Sequence, residues 1–437
     1  MFSRSKATIV KTDGLPTTTS PIGWLLSAVI LTAPYLVFHL PDVSFYIVDF
    51  ILIACLAEIV ISLSVRRLQL AQLVKKCSPI LGIGILFTTL GMLSSIEGVF
   101  LEKTDISLSR LFSVDSQYAF IMIFLPLIVA RWVNIEKIWI FFKMVAVSYL
   151  VPMLVTVMSL HPNTPWEIQE VIFVYHRAAG TYGNPNAFAG VLAITIPIYW
   201  ILGTIERGWW RMVGFTGGIL IFGCLFLTGS FGSILMFLAL LMFNLLWSLI
   251  WRYHPARIHL FRNISIGAGL ILVFLIALGG LMDTELVQKG PLKNRIDLLM
   301  YDTGQADITE YGSAAYRMEI NREYLEMIER RIGGLWGHGL GQSMIVTNRE
   351  HDAHLVYLLL WVEGGLWLLL IYLFFLVILL RNALRLTFLH PTIGMVVCTQ
   401  IIAIVLFGFV TPHIYMRYYW IPVLPAFINW RTEEVKK

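Results

Sequence analysis

Charged side chains are scarce in this chain, which bears on the kind of protein it is. Of its 437 residues, 14% are charged and 58% are hydrophobic. A soluble domain carries about 25% charged and about 45–50% apolar residues. The composition therefore argues against a soluble protein and predicts one that lies in a membrane. Lys and Arg on cytoplasmic loops explain most of the net charge of +5, so no nucleic acid partner is expected.

Cysteine is also rare, and its four copies are scattered. They are Cys55, Cys77, Cys224 and Cys398, in apolar stretches or at their cytoplasmic edge. None is spaced from another as metal ligands are, so we expect neither a disulfide nor a zinc site. The N-terminus lacks the pattern of a cleavable signal, and the first apolar run is therefore expected to be retained.

Motifs that bind nucleotides or metals are missing as well. There is no Walker motif and no nucleotide-binding signature, which argues against ATP as an energy source. The first outer loop, Pro41-Asp42-Val43, has no Asp-x-Asp pair, and Asp283-Thr284-Glu285 is poorly placed to supply one. We therefore expect no metal and no cofactor. Metal-dependent sugar transfer of the oligosaccharyltransferase kind is disfavoured.

Long apolar runs, by contrast, are abundant. A membrane helix needs about 20 apolar residues, and twelve runs come near that length. They lie at residues 21–40, 44–64, 78–98, 115–130, 138–160, 185–204, 211–229, 231–251, 263–282, 354–380, 390–410 and 415–430. The predicted fold is all-α, a polytopic membrane protein of about twelve transmembrane helices.

Basic residues between these runs indicate which side each connection faces. Arg4, Lys6 and Lys11 place the N-terminus in the cytoplasm under the positive-inside rule. Every second connection from there on carries two or more Lys or Arg, whereas the alternate short ones hold few. Because a miscounted span would break this alternation, both termini are predicted to be cytoplasmic.

The predicted boundaries follow from this topology. Residues 1–20 form a cytoplasmic N-terminal segment, 21–430 the transmembrane helical domain and 431–437 a cytoplasmic tail. Between spans 9 and 10, residues 283–352 form one large extracytoplasmic loop. Its apolar spacing predicts a helix at 313–332. We expect this loop to lie over the outer face of the helices.

Two arginines on the outer side are candidates for binding an anion. Arg177 lies just before a predicted span, where the positive-inside rule leaves few cations. Arg317 projects from the loop helix, with Asn321 and Tyr324 on roughly the same face. Arginine suits bidentate contacts with phosphate. The alternative is that each pairs with a structural carboxylate or a lipid headgroup.

Two titratable residues lie at the start of, or within, the predicted span that follows the loop. His354 lies where loop and span meet, suited to act as a general base near neutral pH. A plain interfacial histidine is the alternative, and a metal pair with His351 lacks a third ligand. Glu363 lies deeper, where a carboxylate faces protein or water rather than lipid. It is catalytic, relays a proton or, most simply, pairs with a buried cation.

The segment Gly337-His338-Gly339-Leu340-Gly341 has the glycine content of a phosphate cradle. It does not follow a predicted strand, so it fails the context required of a nucleotide-binding loop. A tight re-entry turn is the better interpretation.

Three segments in one order form a combined pattern. They are Arg177 to Asn186 (Arg-x-x-Gly, then Asn-Pro-Asn), Arg317 to Gly341, and His354-x-x-Tyr357-Leu358 followed by Glu363-Gly364-Gly365. With the span count, they resemble the O-antigen ligase and O-antigen polymerase superfamily of bacteria over roughly residues 170–380. Leu355 stands where that family usually has Asn, and Ser230-Phe231-Gly232 lacks the family's Arg.

The resemblance implies a GT-C-like architecture and an extracytoplasmic glycosyltransferase of the bacterial inner membrane. Its donor would be a glycan on polyprenyl (undecaprenyl) pyrophosphate, transferred on the periplasmic face to a glycan or lipid-core hydroxyl. It implies His354 as the catalytic base. The implied substrate-binding residues are Arg177, Asn186, Arg317, Arg322 and Tyr357. The reaction would be metal-independent and inverting, and other envelope-polysaccharide assembly proteins are possible partners.

Alternatives stay open within and outside this class. A polymerase of O-antigen or exopolysaccharide joins lipid-linked repeat units, whereas a ligase passes the finished glycan to the lipopolysaccharide core. The chain lacks an added soluble acceptor-binding domain, which slightly favours the polymerase. A polysaccharide or lipid-linked oligosaccharide transporter or flippase is the alternative from another class. Against it, the sequence shows no two-fold repeat and no paired broken helices with charges at the membrane centre.

Overall fold

A computed structural model describes most of residues 36–230 and 314–430 and few of the residues between them. The described residues are 36–40, 43–65, 70–102, 108–133, 138–161, 164–174, 177–230, 236–237, 239–240, 242–243, 314–330, 334–343, 353, 355–409 and 416–430. At some of them, Arg317 included, only the backbone is described. The predicted span 263–282, most of the span 231–251 and most of the loop 283–352 lie outside the described residues, as do the predicted terminal segments.

Helices make up most of the described residues. They are α1 (Ile47–Ser64), α2 (Leu70–Glu102), α3 (Leu108–Ala119), α4 (Leu125–Trp132), α5 (Ile138–Met158), α6 (Trp166–Ile172), α7 (Pro185–Ile205), α8 (Trp209–Thr228), α9 (Ala314–Arg330), α10 (Val356–Leu389) and α11 (Pro391–Phe407). A π-helical turn, Phe120–Phe124, joins α3 to α4, and a 3-10 turn forms at Gly180–Tyr182.

Six of the described helical stretches, with α3 and α4 counted as one, are long and apolar enough to cross a membrane. Two shorter apolar helices, Phe50–Ser64 and Pro391–Phe407, accompany them. The prediction of a mostly helical, polytopic membrane protein is confirmed to this extent. The count of twelve spans and the GT-C-like architecture stay predictions.

Two short antiparallel strand pairs depart from the all-α prediction. They are β1 (Leu36–Leu40) with β2 (Val43–Tyr46), and β3 (Phe173–Val174) with β4 (Arg177–Ala178). The first pair occupies ends of the predicted spans 21–40 and 44–64, so the prediction of helix over these two strands is wrong. Aromatic and β-branched residues flank Pro41-Asp42, and together they favour a hairpin that a hydropathy count overlooks.

The last predicted span, 415–430, is not an α-helix, so this prediction is wrong too. The chain forms 3-10 turns at Arg417–Tyr419 and Ile421–Phe427 instead. Pro422 and Pro425 lack the backbone N–H that an α-helix requires. The segment is nevertheless buried, and it packs against α4, α10 and α11.

The antiparallel pair α7 and α8 defines two ends of the helical bundle. The two helices approach so closely that a Cβ at Gly214 would overlap the backbone of Gly203. We call the end where α7 begins and α8 ends the Arg177 end, and the opposite one the Glu206 end. At the latter, Lys143 Nζ of α5 lies 3.1 Å from Glu206 Oε1. Helices α2, α5 and α11 also end at the Arg177 end, and α10 begins there.

The long helix α10 is broken near its start. Gly365 has φ 75° and ψ −179°, which no helix contains, and it divides residues 356–364 (α10a) from 366–389 (α10b). The ring centroids of Tyr357 and Tyr372 are 6.4 Å apart. In a straight helix their Cα atoms would be separated by about 22 Å. Segment α10a is therefore folded back over the Arg177 end of α10b.

Candidate functional site

Arg177 begins β4, and its guanidinium reaches the junction between the start of α7 and the end of α8. Its Nε donates a hydrogen bond to the carbonyl oxygen of Thr228 at 2.7 Å. Its Nη2 donates to Oδ1 of Asn186 at 2.9 Å. Both acceptors are neutral, so these two contacts orient the guanidinium without neutralising its charge. A partly buried, oriented cation of this kind is suited to a phosphate oxygen.

The Asn-Pro-Asn segment places the partner of Arg177. Asn184 caps α7, because its Oδ1 accepts from the backbone N of Asn186 at 2.8 Å and of Ala187 at 3.2 Å. Pro185 fits the first turn of α7, where no N–H is needed. The cap starts the helix so that the side chain of Asn186 meets Arg177. Asn186, predicted to bind substrate, therefore has a described contact that positions Arg177.

Tyr357, also predicted to bind substrate, lies on α10a and is partly buried. Its hydroxyl donates to the carbonyl oxygen of Val405 on α11 at 2.7 Å. Its ring packs against Phe409 and Tyr372, with centroids 4.7 and 6.4 Å away. These contacts fasten α10a to the end of α11. A role in substrate binding stays a prediction.

The catalytic histidine of the prediction, His354, lies outside the described residues, and so does the side chain of Arg317. The described residues near them in the chain show which helices lie next to each other. On α9, Ile320 and Tyr324 are buried in one cluster with Ala353 and the start of α10. Arg317 lies one turn before Ile320 on this same face of α9. The backbone therefore brings the turn of helix that carries Arg317 toward the entry to α10a.

Arg322 lies on a different face of α9. Its side chain is exposed, and Nε lies 3.3 Å from Oε1 of Glu326, one turn further on. An exposed pair of this kind contributes little to stability. The structure therefore gives Arg322, the remaining predicted substrate-binding residue, a place on the solvent-accessible side of α9.

A continuous set of contacts connects the Arg177 region to α10a. The hydroxyl of Tyr419 donates to the carbonyl oxygen of Ala187, at 3.3 Å, beside Asn186 on α7. The same ring packs against Phe407, the last residue of α11, at 5.4 Å. The next residue, Gly408, accepts a hydrogen bond from the backbone N of Val356 at 2.8 Å. The first and third motif segments thus lie at the same end of the bundle.

Residues 334–343, which we call the glycine loop, fill the break in α10. The backbone N of His338 donates to the carbonyl oxygen of Val362 at 2.9 Å, and that of Gly339 to Glu363 at 2.7 Å. These carbonyls can accept from the loop because Gly365 interrupts the helical ladder that would otherwise use them. Gly337 has no room for a Cβ, which would overlap the backbone oxygen of Glu363. The segment forms turns, as the sequence predicts.

The side chain of Glu363 is buried, with 3% exposed. Its Oε1 accepts from Oγ of Ser343 at 2.7 Å and from the backbone N of Ser343 at 3.4 Å. The sequence predicts a buried cation as its simplest partner, whereas these described donors are a hydroxyl and an amide of the glycine loop. Hydrogen bonds of this kind suit a carboxylate that holds two segments together.

Asp115 is a buried carboxylate that the sequence analysis did not select. It lies on α3 with 2% exposed, near Gly91 of α2 and Leu340 of the glycine loop. Its Oδ1 has no hydrogen-bond donor among the described residues. Burying an ionisable residue in a membrane protein costs free energy, and such residues mark functional sites by default. Its position at the first turn of a predicted span, 115–130, was the available signal.

No group of three or more His, Cys, Asp or Glu is arranged among the described residues to hold a metal ion. The four cysteines are buried free thiols.

Comparison of the chain with known protein families, curated proteins and solved structures finds no match. The described residues define a membrane protein whose buried carboxylates and oriented arginine lie at one end of its helices. The resemblance to the O-antigen ligase and polymerase superfamily stays a prediction.

Proposed function

We propose that this protein is a glycosyltransferase whose donor is a glycan on a polyprenyl pyrophosphate, with its site at the Arg177 end facing away from the cytoplasm. The observation that carries the proposal is Arg177, which two neutral acceptors hold at the end of apolar helices. A guanidinium at that level can bind the pyrophosphate of a lipid whose chain stays in the bilayer. The order of the three motif segments adds to this support.

The proposed chemistry needs three side chains. An acceptor hydroxyl attacks the anomeric carbon of the donor sugar as the bond from that carbon to the pyrophosphate oxygen breaks. Arg177 and Arg317 neutralise the charge that develops on the pyrophosphate. His354 takes the proton of the hydroxyl, a step that typically contributes about 10²–10⁴-fold in rate. Direct displacement inverts the configuration at the anomeric carbon.

The distribution of buried charge favours an enzyme over a transporter. A transporter site lies near the middle of the bilayer and is formed by broken helices from both halves of the chain. Of the described residues, the two buried carboxylates, Asp115 and Glu363, both lie at the Arg177 end. The break at Gly365 in α10 lies at this end too. Groups gathered at one end suit a cavity open to one side.

The test is transfer in vitro with purified protein and a purified lipid-linked repeat unit. Chain growth with that substrate alone identifies a polymerase, and a strict requirement for a second lipid acceptor identifies a ligase. Lipid movement between leaflets without a new glycosidic bond refutes the proposal and favours the flippase. Arg177→Ala should remove transfer, whereas Arg207→Ala, which removes an exposed arginine at the Glu206 end, should leave it intact.

A further inference from the structure

Glu363 joins three separate parts of the chain. Its carboxylate accepts from Ser343 of the glycine loop. Its backbone carbonyl oxygen accepts from Gly339 of the same loop at 2.7 Å, and from Oγ of Ser94 on α2 at 2.9 Å. Both the side chain and the main chain of one residue are therefore engaged where α10 breaks.

The position of Glu363 places one attachment of α10a directly at the break in α10. At the other end of this segment, the backbone N of Val356 donates to Gly408 and the hydroxyl of Tyr357 donates to Val405. Between these attachments, Leu358, Leu359 and Val362 pack against buried residues of α9, and Nε1 of Trp361 donates to the carbonyl oxygen of Gly334 at 2.9 Å.

Gly365 interrupts the helical backbone directly after this segment, so α10b does not continue the helix that would direct it. The bonds from Ser343 to the carboxylate of Glu363 add side-chain contacts at the break to the backbone bonds from the glycine loop and the bond from Ser94.

We propose that Glu363 is a positioning residue, which fixes the direction of α10a through its hydrogen bonds to Ser343, and α10a is the segment that follows His354 in the chain. The catalytic half of this inference rests on the proposed function. The structural half does not, because the direction of α10a can be measured whatever reaction the protein performs. A hydrogen-bond acceptor is what the position needs, so glutamine should serve where alanine does not.

Hydrogen exchange of the purified full-length protein tests the structural half. In Glu363→Ala and Ser343→Ala, amides of residues 356–364 should exchange about tenfold faster or more, since a buried hydrogen bond is lost. In Glu363→Gln, exchange there should stay within about twofold of the parent, because Oε1 still accepts from Ser343. Unchanged exchange in both alanine variants overturns the proposal.

Asn382→Ala is the matched control. Asn382 is fully buried on the same helix and donates through Nδ2 to the carbonyl oxygen of Ala426 at 2.9 Å, far from the break. Its removal also breaks one buried hydrogen bond of α10. Exchange of 356–364 should nevertheless stay as in the parent. Equal loosening of that segment in the control would mean that any damage to α10 reaches it, and Glu363 would have no special role.

Transfer kinetics test the catalytic half. Glu363→Ala should lower kcat about tenfold or more and leave KM within about twofold, because a misdirected base weakens the transition state more than donor binding. Glu363→Gln should restore kcat. A loosened α10a with unchanged kcat overturns the positioning role. If the parent protein itself transfers no glycan, the proposed function fails, while the exchange measurements still decide whether Glu363 holds α10a.

Discussion

Asn186 accepts a hydrogen bond from Arg177 through its side-chain oxygen, at 2.9 Å. The two residues are nine apart in the chain, and the cap at Asn184 that starts α7 places one beside the other. Two residues that the motif implies as separate substrate contacts thus act as one unit, in which Asn186 orients the guanidinium. An amide suits this task because it accepts a hydrogen bond and carries no charge.

This pairing gives a prediction about charge. Asn186→Asp keeps an acceptor for Arg177 but adds a negative charge beside the guanidinium, so KM for the lipid-linked donor should rise about tenfold or more. Asn186→Ala keeps the charge and loses only the orientation, so the rise should be smaller, about threefold. Donor titrations in the transfer assay measure both. Equal KM values for the two variants would show that the charge of Arg177 has no part in donor binding.

A second prediction concerns the general base. His354→Ala should lower transfer by about 10²–10⁴-fold, since a positioned base contributes that much. Expression and elution in gel filtration should match the parent. The control is His161→Ala, which changes an exposed histidine after α5, at the Arg177 end, and should retain full activity. Normal transfer by the His354 variant would refute its assignment as the base.

The break in α10 gives a stability prediction. Gly365→Ala introduces a Cβ at φ 75°, where it would overlap the carbonyl oxygen of Leu335. Strain and overlap together should cost about 2–4 kcal/mol in the free energy of unfolding. Gly218→Ala is the control, because a Cβ on this helical glycine of α8 meets nothing within 4 Å and should raise stability slightly. Thermal unfolding in detergent compares them, and similar midpoints would contradict the strained geometry.

The sidedness of the membrane is a separate prediction. Glu167 lies on α6 at the Arg177 end, and Arg207 lies at the Glu206 end; both are exposed. A membrane-impermeant maleimide added to intact cells or spheroplasts should label Glu167→Cys and leave Arg207→Cys unlabelled until the membrane is permeabilised. The four native cysteines are buried and should give a low background. The reverse pattern would place the proposed site in the cytoplasm.

Hydropathy alone predicts much of the described fold. The runs at 138–160, 185–204 and 211–229 correspond closely to α5, α7 and α8, because about 20 apolar residues between polar turns have few alternatives to a helix in a membrane. Hydropathy does not distinguish an α-helix from a hairpin or a 3-10 segment. In the last run, Pro422 and Pro425 argue against an α-helix, and hydropathy does not take this into account.

The candidate site was less predictable, for a physical reason. The motif around Arg177 is local, so the resemblance implies Asn186 as a site residue, whereas the cap that Asn184 forms was not predicted. The break at Gly365 arises instead because the glycine loop, some twenty residues upstream, supplies donors to the carbonyls of Val362 and Glu363. A contact between two distant segments produces no periodic pattern in the sequence. The apolar run at 354–380 would look the same for a straight helix and for a broken one, so hydropathy does not locate the break.

The fold in α10 also reconciles its length with the thickness of a bilayer. As a straight rod, its 34 residues would measure about 51 Å, far more than a hydrocarbon layer of about 30 Å. Residues 366–389 alone measure about 36 Å, which a modest tilt accommodates. The remaining turns, α10a, lie over the Arg177 end of the bundle. The bend therefore avoids a mismatch between the length of the helix and the thickness of the bilayer, and the membrane around α10 need not thicken.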